Sequence, residues 1–155
     1  MGINKNQLEQ LIINTLMEIK LCSPSAVNLL LGTAAQESHM GKYIKQLQGP
    51  AVGIFQMEPA THDDIWDNYL KYISRSTINN IYNSAKTDFS DSDMLEYNLK
   101  YAIIMCRLHY RRVKERLPKY DDLNALAQYW KKYYNTWMGK GTTEQFINNF
   151  ERFVL

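Results

Sequence analysis

An apolar residue recurs every three or four positions along most of this chain, and this period constrains the fold more than any other feature. The first such series places its apolar groups on one face of a helix that Asn4 or Asn6 could cap, and its members are Leu8, Leu11, Ile12, Leu16 and Ile19. No segment of similar length alternates in the manner of a strand-dominated fold. We therefore expect a mostly α architecture.

Capping residues divide the periodic part of the chain into further helices. Ser23 is a favoured N-cap and Pro24 suits the first helical position, so a second helix is predicted from there to about Met40, where Gly41 offers a stop. A third helix is predicted to begin at Pro59, with a buried stripe that reaches Ile73, and a short one is predicted near 78–84. One long central helix is predicted from Leu95 to Val113. The last two helices are predicted from Asp121 or Asp122 through Trp130 and from Thr142 through Phe153.

Residues 41–58 lose the helical period. This segment contains Gly49-Pro50 and Gly53, which favour turns, so it is interpreted as a loop or a small irregular β insertion after the second helix. The chain has 155 residues, of which 45% are hydrophobic, and this size fits one compact core. We expect a single domain over residues 1–155.

Several function classes receive no support from composition. The formal net charge of +2 neither requires nor excludes an acidic polymer as partner. Basic residues between Arg107 and Arg116 wind around a predicted helix without an aromatic platform, which indicates a solvated surface rather than a nucleic-acid site. No apolar run is long enough for a signal peptide or a membrane span, so a soluble chain without an encoded export route is expected.

Metal and cofactor chemistry is likewise not predicted. His39, His62 and His109 do not share a metal-binding spacing, and no cysteine pair completes one. Cys22 and Cys106 are too few for a disulfide framework; buried free thiols are the preferred interpretation, with a single bridge left open. We expect no metal and no cofactor.

Glu37 is the residue whose position most suggests chemistry. It lies in the last turns of the second predicted helix, and helical spacing stacks it over Leu30, Thr33 and Ala34. Burial beside apolar groups raises the pKa of a carboxyl group, which keeps it protonated as a general acid near neutral pH. The alternative is an exposed, solvated glutamate at a helix end.

Two motifs surround this glutamate. The segment AAQESHMG at 34–41 is followed by GIFQMEPAT at 53–61, which reads as Gly-x-x-Gln-hydrophobic-x-Pro-x-Thr. Together, their order, spacing and helical context resemble the soluble lytic transglycosylases of the lysozyme-like superfamily. Farther on, Asn98-Leu99 with Ala102 looks like the next helix of that family, and Ala125 to Tyr129 looks like its Ala-x-x-Tyr-Asn motif. The resemblance covers roughly residues 26–135 and implies an α+β lysozyme-like fold. Trp130 stands where the family has asparagine, and Asn135 is a possible source of the missing amide.

The resemblance implies roles for individual residues. Glu37 would be the catalytic acid and base that cleaves the bond between N-acetylmuramic acid and N-acetylglucosamine in peptidoglycan, leaving a 1,6-anhydro sugar end. Ser38 would hydrogen-bond near Glu37 or the substrate, Gln56 and Met57 would line the sugar groove, and Tyr129 would position Glu37 through its hydroxyl group. Each has a structural alternative: a satisfied helix end for Ser38, core filling for Met57 and a packed aromatic ring for Tyr129.

The second carboxylate of an ordinary glycosidase is missing from the insertion, because no acidic residue lies between Ser38 and Met57. This absence favours the one-acid mechanism. Hydrolysis with Glu58, Asp63 or Asp64 as base stays open, although first-turn charges that serve the helix dipole explain these residues more simply.

A lone catalytic domain of this kind resembles phage-encoded wall enzymes, which implies action on the bacterial cell wall after holin release or as a virion component, with other virion proteins as partners. The resemblance also leaves open a lysozyme-like structural or wall-binding protein that has lost catalysis, since Trp130 departs from the motif.

Overall fold

The computed structural model describes all of residues 1–155, and its regular secondary structure is helical apart from two isolated β-bridges. The elements are α1 (Lys5–Glu18), α2 (Pro24–Ser38), α3 (Pro59–Asn68), a 3₁₀ turn (Leu70–Tyr72), α4 (Arg75–Ala85), α5 (Met94–Tyr97), α6 (Leu99–Arg111), α7 (Leu123–Trp130), a π-helix (Lys131–Asn135) and α8 (Thr143–Phe153). The predicted mostly α fold class is confirmed.

Short polar side chains begin the helices where the sequence predicts. Asn4 Oδ1 accepts hydrogen bonds from the N–H groups of Asn6 and Gln7 at the start of α1, and Ser23 Oγ accepts from the Ala26 N–H at the start of α2. At α8, Thr142 and Gln145 form the reciprocal capping box. Local capping chemistry therefore accounts for most helix starts.

Two of the predicted helices differ from those in the structure. The expected long central helix is interrupted at Asn98, whose backbone is extended and whose side chain accepts from the Tyr101 N–H and donates to the Ala85 carbonyl. The helix that begins at Pro59 stops at Asn68 and gives way to the 3₁₀ turn before Ile73. The apolar period continues through both breaks, so it did not indicate them.

Helix α6 lies at the centre of the molecule, as expected. Every side chain from Tyr101 to Leu108 is buried, and α6 packs against each of α1 to α5. The apolar core is one cluster of 36 buried residues. Both cysteines are free; Cys106 is buried in α6, whereas the prediction of burial is wrong for Cys22, which is exposed.

Helices α2 and α8 lie unusually close together. A Cβ added at Gly32 would lie 2.3 Å from Phe146 Cζ, so only glycine permits this approach. Phe146 in turn packs against the ring of Trp130, with centroids 5.3 Å apart. This contact brings the end of α2 against α7.

The segment between α2 and α3 is the predicted small irregular β insertion. Its only β pairings are isolated bridges between Lys45 and Val52 and between Val52 and Met57. Gly53 adopts a φ of +83°, and a Cβ there would lie 2.0 Å from the Leu95 carbonyl oxygen. The insertion is thus seated directly on α5. None of the helices combines the length and the apolar character needed to cross a bilayer.

Candidate active site

A cleft of about 750 Å³ opens between the end of α2, the insertion, and the segment that follows the π-helix. Most of its lining is polar. The lining residues are Gln36, Glu37, Gln46, Gln48, Ala51, Gln56, Met57, Glu58, Thr61, His109, Tyr134, Asn135, Thr136, Met138, Gly139, Lys140 and Gly141. Its volume lies within the range of small-molecule sites. The cleft therefore brings Glu37, Gln56 and Met57 together, as the sequence predicts.

Glu37 is partly buried in the last turn of α2, with its carboxyl group in the wall of the cleft. Its protein partner is the indole of Trp130, whose Nε1–H donates to Glu37 Oε1 over 2.9 Å. No cationic side chain pairs with it. Burial raises the pKa of Glu37 to about 7, because desolvation outweighs the opposing effect of the Trp130 hydrogen bond. Glu37 therefore titrates near neutral pH, where a solvated glutamate is ionised.

Trp130 was not among the predicted site residues. Its side chain is fully buried at the end of α7, and its single N–H is aimed at Glu37. This is the position at which the sequence departs from the Ala-x-x-Tyr-Asn motif. Tryptophan thus supplies one N–H donor where the motif asparagine would supply an amide. The departure itself was the signal that could have identified Trp130.

Carboxamide groups dominate the rest of the cleft. Gln46 Oε1 accepts from the Ala51 N–H, and Asn135 Oδ1 accepts from Lys131 Nζ. Because those oxygens face protein donors, the amide orientations are defined and both NH₂ groups remain available as donors in the cleft. The Gln36 amide is fixed in the same way, because Asn149 Nδ2 donates to Gln36 Oε1 over 2.7 Å. Such neutral, directional groups suit an uncharged ligand rich in hydroxyl and amide groups.

Gln56 and Met57 are both at the cleft, but they contribute differently. Gln56 has a φ of +48° and its Nε2 donates to the Gly53 carbonyl over 2.9 Å, so a tight turn presents this side chain. Met57 is almost entirely buried, and its backbone exchanges hydrogen bonds with Val52. Met57 therefore supports the cleft floor more than it offers a surface.

Ser38 does not line the cleft. Its hydroxyl group is fully buried, lies 2.5 Å from the Ile54 carbonyl and 3.1 Å from that of Ala34, and accepts from the Gly41 N–H. These bonds tie the end of α2 to the insertion. The structural alternative for Ser38 is therefore the one observed, and its hydroxyl group bonds to backbone groups beside Glu37 without facing the cleft.

The predicted contact between Tyr129 and Glu37 is also wrong. The Tyr129 hydroxyl donates to the Glu115 carbonyl over 2.9 Å, its ring is buried, and it is not part of the cleft lining. The physical reason is the helical phase of α7, which directs the next residue, Trp130, towards Glu37. Tyr129 is a packed aromatic residue.

Tyr134 is the tyrosine of the cleft, although it was not among the predicted site residues. Its hydroxyl donates to the Phe55 carbonyl over 2.6 Å, which connects the π-helix to the insertion, and the nearby Glu37 is one of the charges that raise the Tyr134 pKa, after burial. Tyr134-Asn135 repeats the Tyr-Asn pair of the motif slightly later in the chain. The wider turn of the π-helix brings this second pair to the cleft.

His109 contributes a neutral imidazole to the same wall. Burial, followed by the charge of Arg112, lowers the pKa of His109 to about 4. Arg112 Nη2 donates to His109 Nδ1 over 3.0 Å, and Arg112 also pairs with Asp64. His109 is therefore a hydrogen-bonding group, not a charge, at neutral pH. Its ring packs edge-on against Tyr134, with centroids 5.0 Å apart.

The acidic residues after the second motif separate into two sets. Glu58 is exposed and lines the cleft, whereas Asp63 pairs with His62 and Asp64 with Arg112, both outside it. Neither aspartate lies in the first turn of α3, so the expected interaction with the helix dipole is wrong. Glu58 alone remains a candidate second carboxylate.

The structure brings together no cluster of His, Cys, Asp or Glu side chains that could hold a metal ion. Comparison with family models, curated proteins and solved structures returned no match.

Proposed function

We propose that this protein cleaves the glycan strands of bacterial peptidoglycan as a lytic transglycosylase, with Glu37 as general acid and then general base. The observation that carries the proposal is the state of Glu37. It is a partly buried carboxyl group whose pKa is raised to about 7, bonded to one indole N–H in the wall of a cleft rich in neutral amides.

A general acid near neutral pH needs this environment. A solvated glutamate is almost fully ionised at pH 7 and has no proton to donate, whereas a carboxyl group with a pKa near the working pH both donates and accepts readily. The Trp130 N–H favours the carboxylate that remains after proton donation. One residue can therefore serve both steps.

The reaction balances without water. Glu37 donates its proton to the glycosidic oxygen, the bond from that oxygen to C1 of N-acetylmuramic acid breaks, and the substrate's own N-acetyl group stabilises the positive charge at C1. The muramic 6-hydroxyl oxygen then attacks C1, and its proton returns to Glu37. The products are a free 4-hydroxyl end and a 1,6-anhydro ring, and Glu37 is again protonated.

The cleft lining supports a saccharide substrate. Sugars and their N-acetyl groups offer many uncharged donors and acceptors, which the carboxamides of Gln46, Gln56 and Asn135 can match in direction. No acidic residue lies between Ser38 and Met57, so the insertion offers no carboxylate before Glu58. Both features favour assistance by the substrate itself.

A hydrolase is the second candidate, because Glu58 lines the cleft with an exposed side chain. In that case Glu58 would activate a water molecule or stabilise the glycosyl cation, and the product would carry a reducing end. A catalytically inactive wall-binding protein is less favoured, since Trp130, the departure that suggested it, supplies the donor to Glu37.

Product analysis tests the proposal. Purified peptidoglycan is digested with the wild-type protein, Glu37→Gln and Glu58→Gln, and the soluble muropeptides are weighed by mass spectrometry. We expect anhydro-muramic ends with the wild type and Glu58→Gln, and no release with Glu37→Gln. Reducing ends that disappear in Glu58→Gln would establish the hydrolase instead, and wall binding without release by any variant would establish the inactive protein.

The setting of this activity is also a proposal. A glycan-cleaving domain of this kind would act at the bacterial cell wall, either after release from the cell interior or as part of a phage particle assembled with other virion proteins. Mass spectrometry of purified particles separates the two: detection of the chain supports a virion component, and its absence supports a freely released enzyme.

A further inference from the structure

The segment after the π-helix combines several features that the proposed reaction does not use. Trp137 is 85% exposed and Met138 is 82% exposed, although Thr136 and Met138 on either side of Trp137 line the cleft. A tryptophan with almost no protein contact at the edge of a polar cleft is an unusual surface residue. Its ring covers nothing in the protein itself.

The backbone that presents Trp137 is strained. Thr136 has a φ of 64° and a ψ of 159°, a region that is essentially restricted to glycine. The preceding residues Lys131–Asn135 form a π-helix, which is rare and is found mostly at functional sites. Both features lie in the segment that leads directly to Trp137, and both are of a kind that clusters at functional sites.

Lys131 supplies the restraint. Its Nζ donates to Asn135 Oδ1 over 2.6 Å, to the Gly139 carbonyl over 2.9 Å and to the Gly141 carbonyl over 2.6 Å, so each of its N–H groups has a partner. No carboxylate pairs with this ammonium group. Lys131 therefore acts as a clasp that closes residues 136–141 into a loop with a fixed shape.

The clasped loop also touches the residues around Glu37. A Cβ on Gly141 would lie 2.7 Å from Trp130 Cη2 and 3.3 Å from Gln36 Nε2, so the loop backbone covers the indole that donates to Glu37. One end of the loop thus packs on the buried Trp130, while its other end carries the exposed Trp137. A ligand at Glu37 that extends past Gly141 reaches the part of the loop that presents Trp137.

We propose that residues 136–141 form a saccharide-binding rim, in which the Trp137 ring stacks on a sugar unit of the same glycan strand that binds at Glu37. This inference rests on the proposed function for the identity of the ligand. The amide-lined cleft beside it favours an uncharged saccharide over a protein partner, and a sugar ring presents an apolar C–H face that an exposed indole can cover. Stacking would extend the bound strand beyond the cleaved bond.

Fluorescence gives a direct test, because Trp137 is the exposed tryptophan, whereas Trp130 is fully buried and Trp66 is half-buried and hydrogen-bonded to Tyr101. In the Glu37→Gln background, soluble glycan strands from sonicated peptidoglycan are titrated. We expect a blue shift of the emission and protection from acrylamide quenching. The same titration with Trp137→Phe should lose most of the signal but keep the affinity within about threefold, since phenylalanine still stacks.

Trp137→Ala in the same background should weaken binding about fivefold to tenfold, measured by calorimetry. Its circular dichroism and melting temperature should match the parent, because the side chain is exposed. The proposed rim is contradicted if Trp137→Ala and the Glu37→Gln parent bind glycan strands with equal affinity. It is also contradicted if glycan strands bind without any change in Trp137 emission.

The two proposals fail separately. If glycan binding depends on Trp137 but the protein cleaves nothing, the saccharide-binding rim is supported and the proposed enzymatic activity is contradicted. If Trp137→Ala cleaves long glycan strands as fast as the wild type does, the proposed enzymatic activity is supported and the saccharide-binding rim is contradicted. If neither the Glu37→Gln variant nor the wild type binds glycan strands, both proposals are contradicted.

Discussion

The indole N–H of Trp130 donates to Glu37 Oε1 over 2.9 Å, across 93 positions of the chain. The carboxyl group is partly buried in the cleft wall and pairs with no cationic side chain. Desolvation favours the protonated acid and this bond favours the carboxylate, so the balance between them sets the pKa of Glu37 at about 7. The Glu37 pKa is therefore sensitive both to the Trp130 hydrogen bond and to the burial of the carboxyl group.

Trp130→Phe removes the N–H but keeps an aromatic ring. The carboxylate form of Glu37 then loses its donor, so the pKa of Glu37 should rise above about 7 and the alkaline limb of the pH–activity profile should move to higher pH. The profile is measured by turbidity clearing of wall suspensions.

Trp66→Phe is the matched control for that variant, because it also deletes an indole N–H, here bonded to Tyr101, away from the cleft. Its alkaline limb should coincide with that of the wild type. Identical limbs for Trp130→Phe and Trp66→Phe would mean that Trp130 does not influence the titration of Glu37.

Glu37 also makes stability depend on pH. Its folded pKa of about 7 lies above the ordinary value of 4.5, so the folded protein holds a proton that the unfolded chain releases between those two values. This contribution is fully present below pH 4.5 and is lost as the pH rises through 7. The loss amounts to roughly 3 kcal/mol of unfolding free energy.

Glu37→Gln removes this titration and keeps the shape of the side chain. Relative to the wild type, the variant should therefore gain about 3 kcal/mol of stability on going from pH 4.5 to pH 8, as measured by urea unfolding at both values. A stability difference that is the same at the two pH values would show that Glu37 is solvated, and the general-acid assignment would fall with it.

Tyr134→Phe and Tyr129→Phe form a second matched pair. The Tyr134 hydroxyl holds the Phe55 carbonyl beside Gln56, so its removal should loosen the insertion at the cleft and lower kcat/KM about tenfold. The Tyr129 hydroxyl bonds to the Glu115 carbonyl outside the cleft, so Tyr129→Phe should leave kcat/KM within about twofold. The reverse order in muropeptide release assays would restore the role first expected for Tyr129.

Ser38→Ala tests whether the residue beside Glu37 is structural. The substitution leaves the Gly41 N–H without its acceptor and the Ile54 carbonyl without its donor, so we expect a loss of about 1–3 kcal/mol in unfolding free energy. The pH profile and products of the remaining folded enzyme should be unchanged. A shifted profile with normal stability would instead assign Ser38 to the chemistry.

Much of the fold could be predicted because it depends on neighbouring residues. The apolar period located α1, α2, α6, α7 and α8, and Asn4, Ser23 and Thr142 marked helix starts through bonds to N–H groups within the next turn. The break at Asn98 was missed because its side chain also bonds to Ala85, in another helix, and no local pattern encodes that partner.

The candidate site divides along the same line. The amino-acid sequence alone determined that Glu37 ends an apolar helix and that a Gln56 turn follows it, since both are local patterns. Tertiary packing decided that Trp130, and not Tyr129, reaches Glu37, because α8 presses on α2 at Gly32 and sets α7 against the end of that helix. A carboxyl pKa depends on what surrounds the group in space, and those surroundings come from distant parts of the chain.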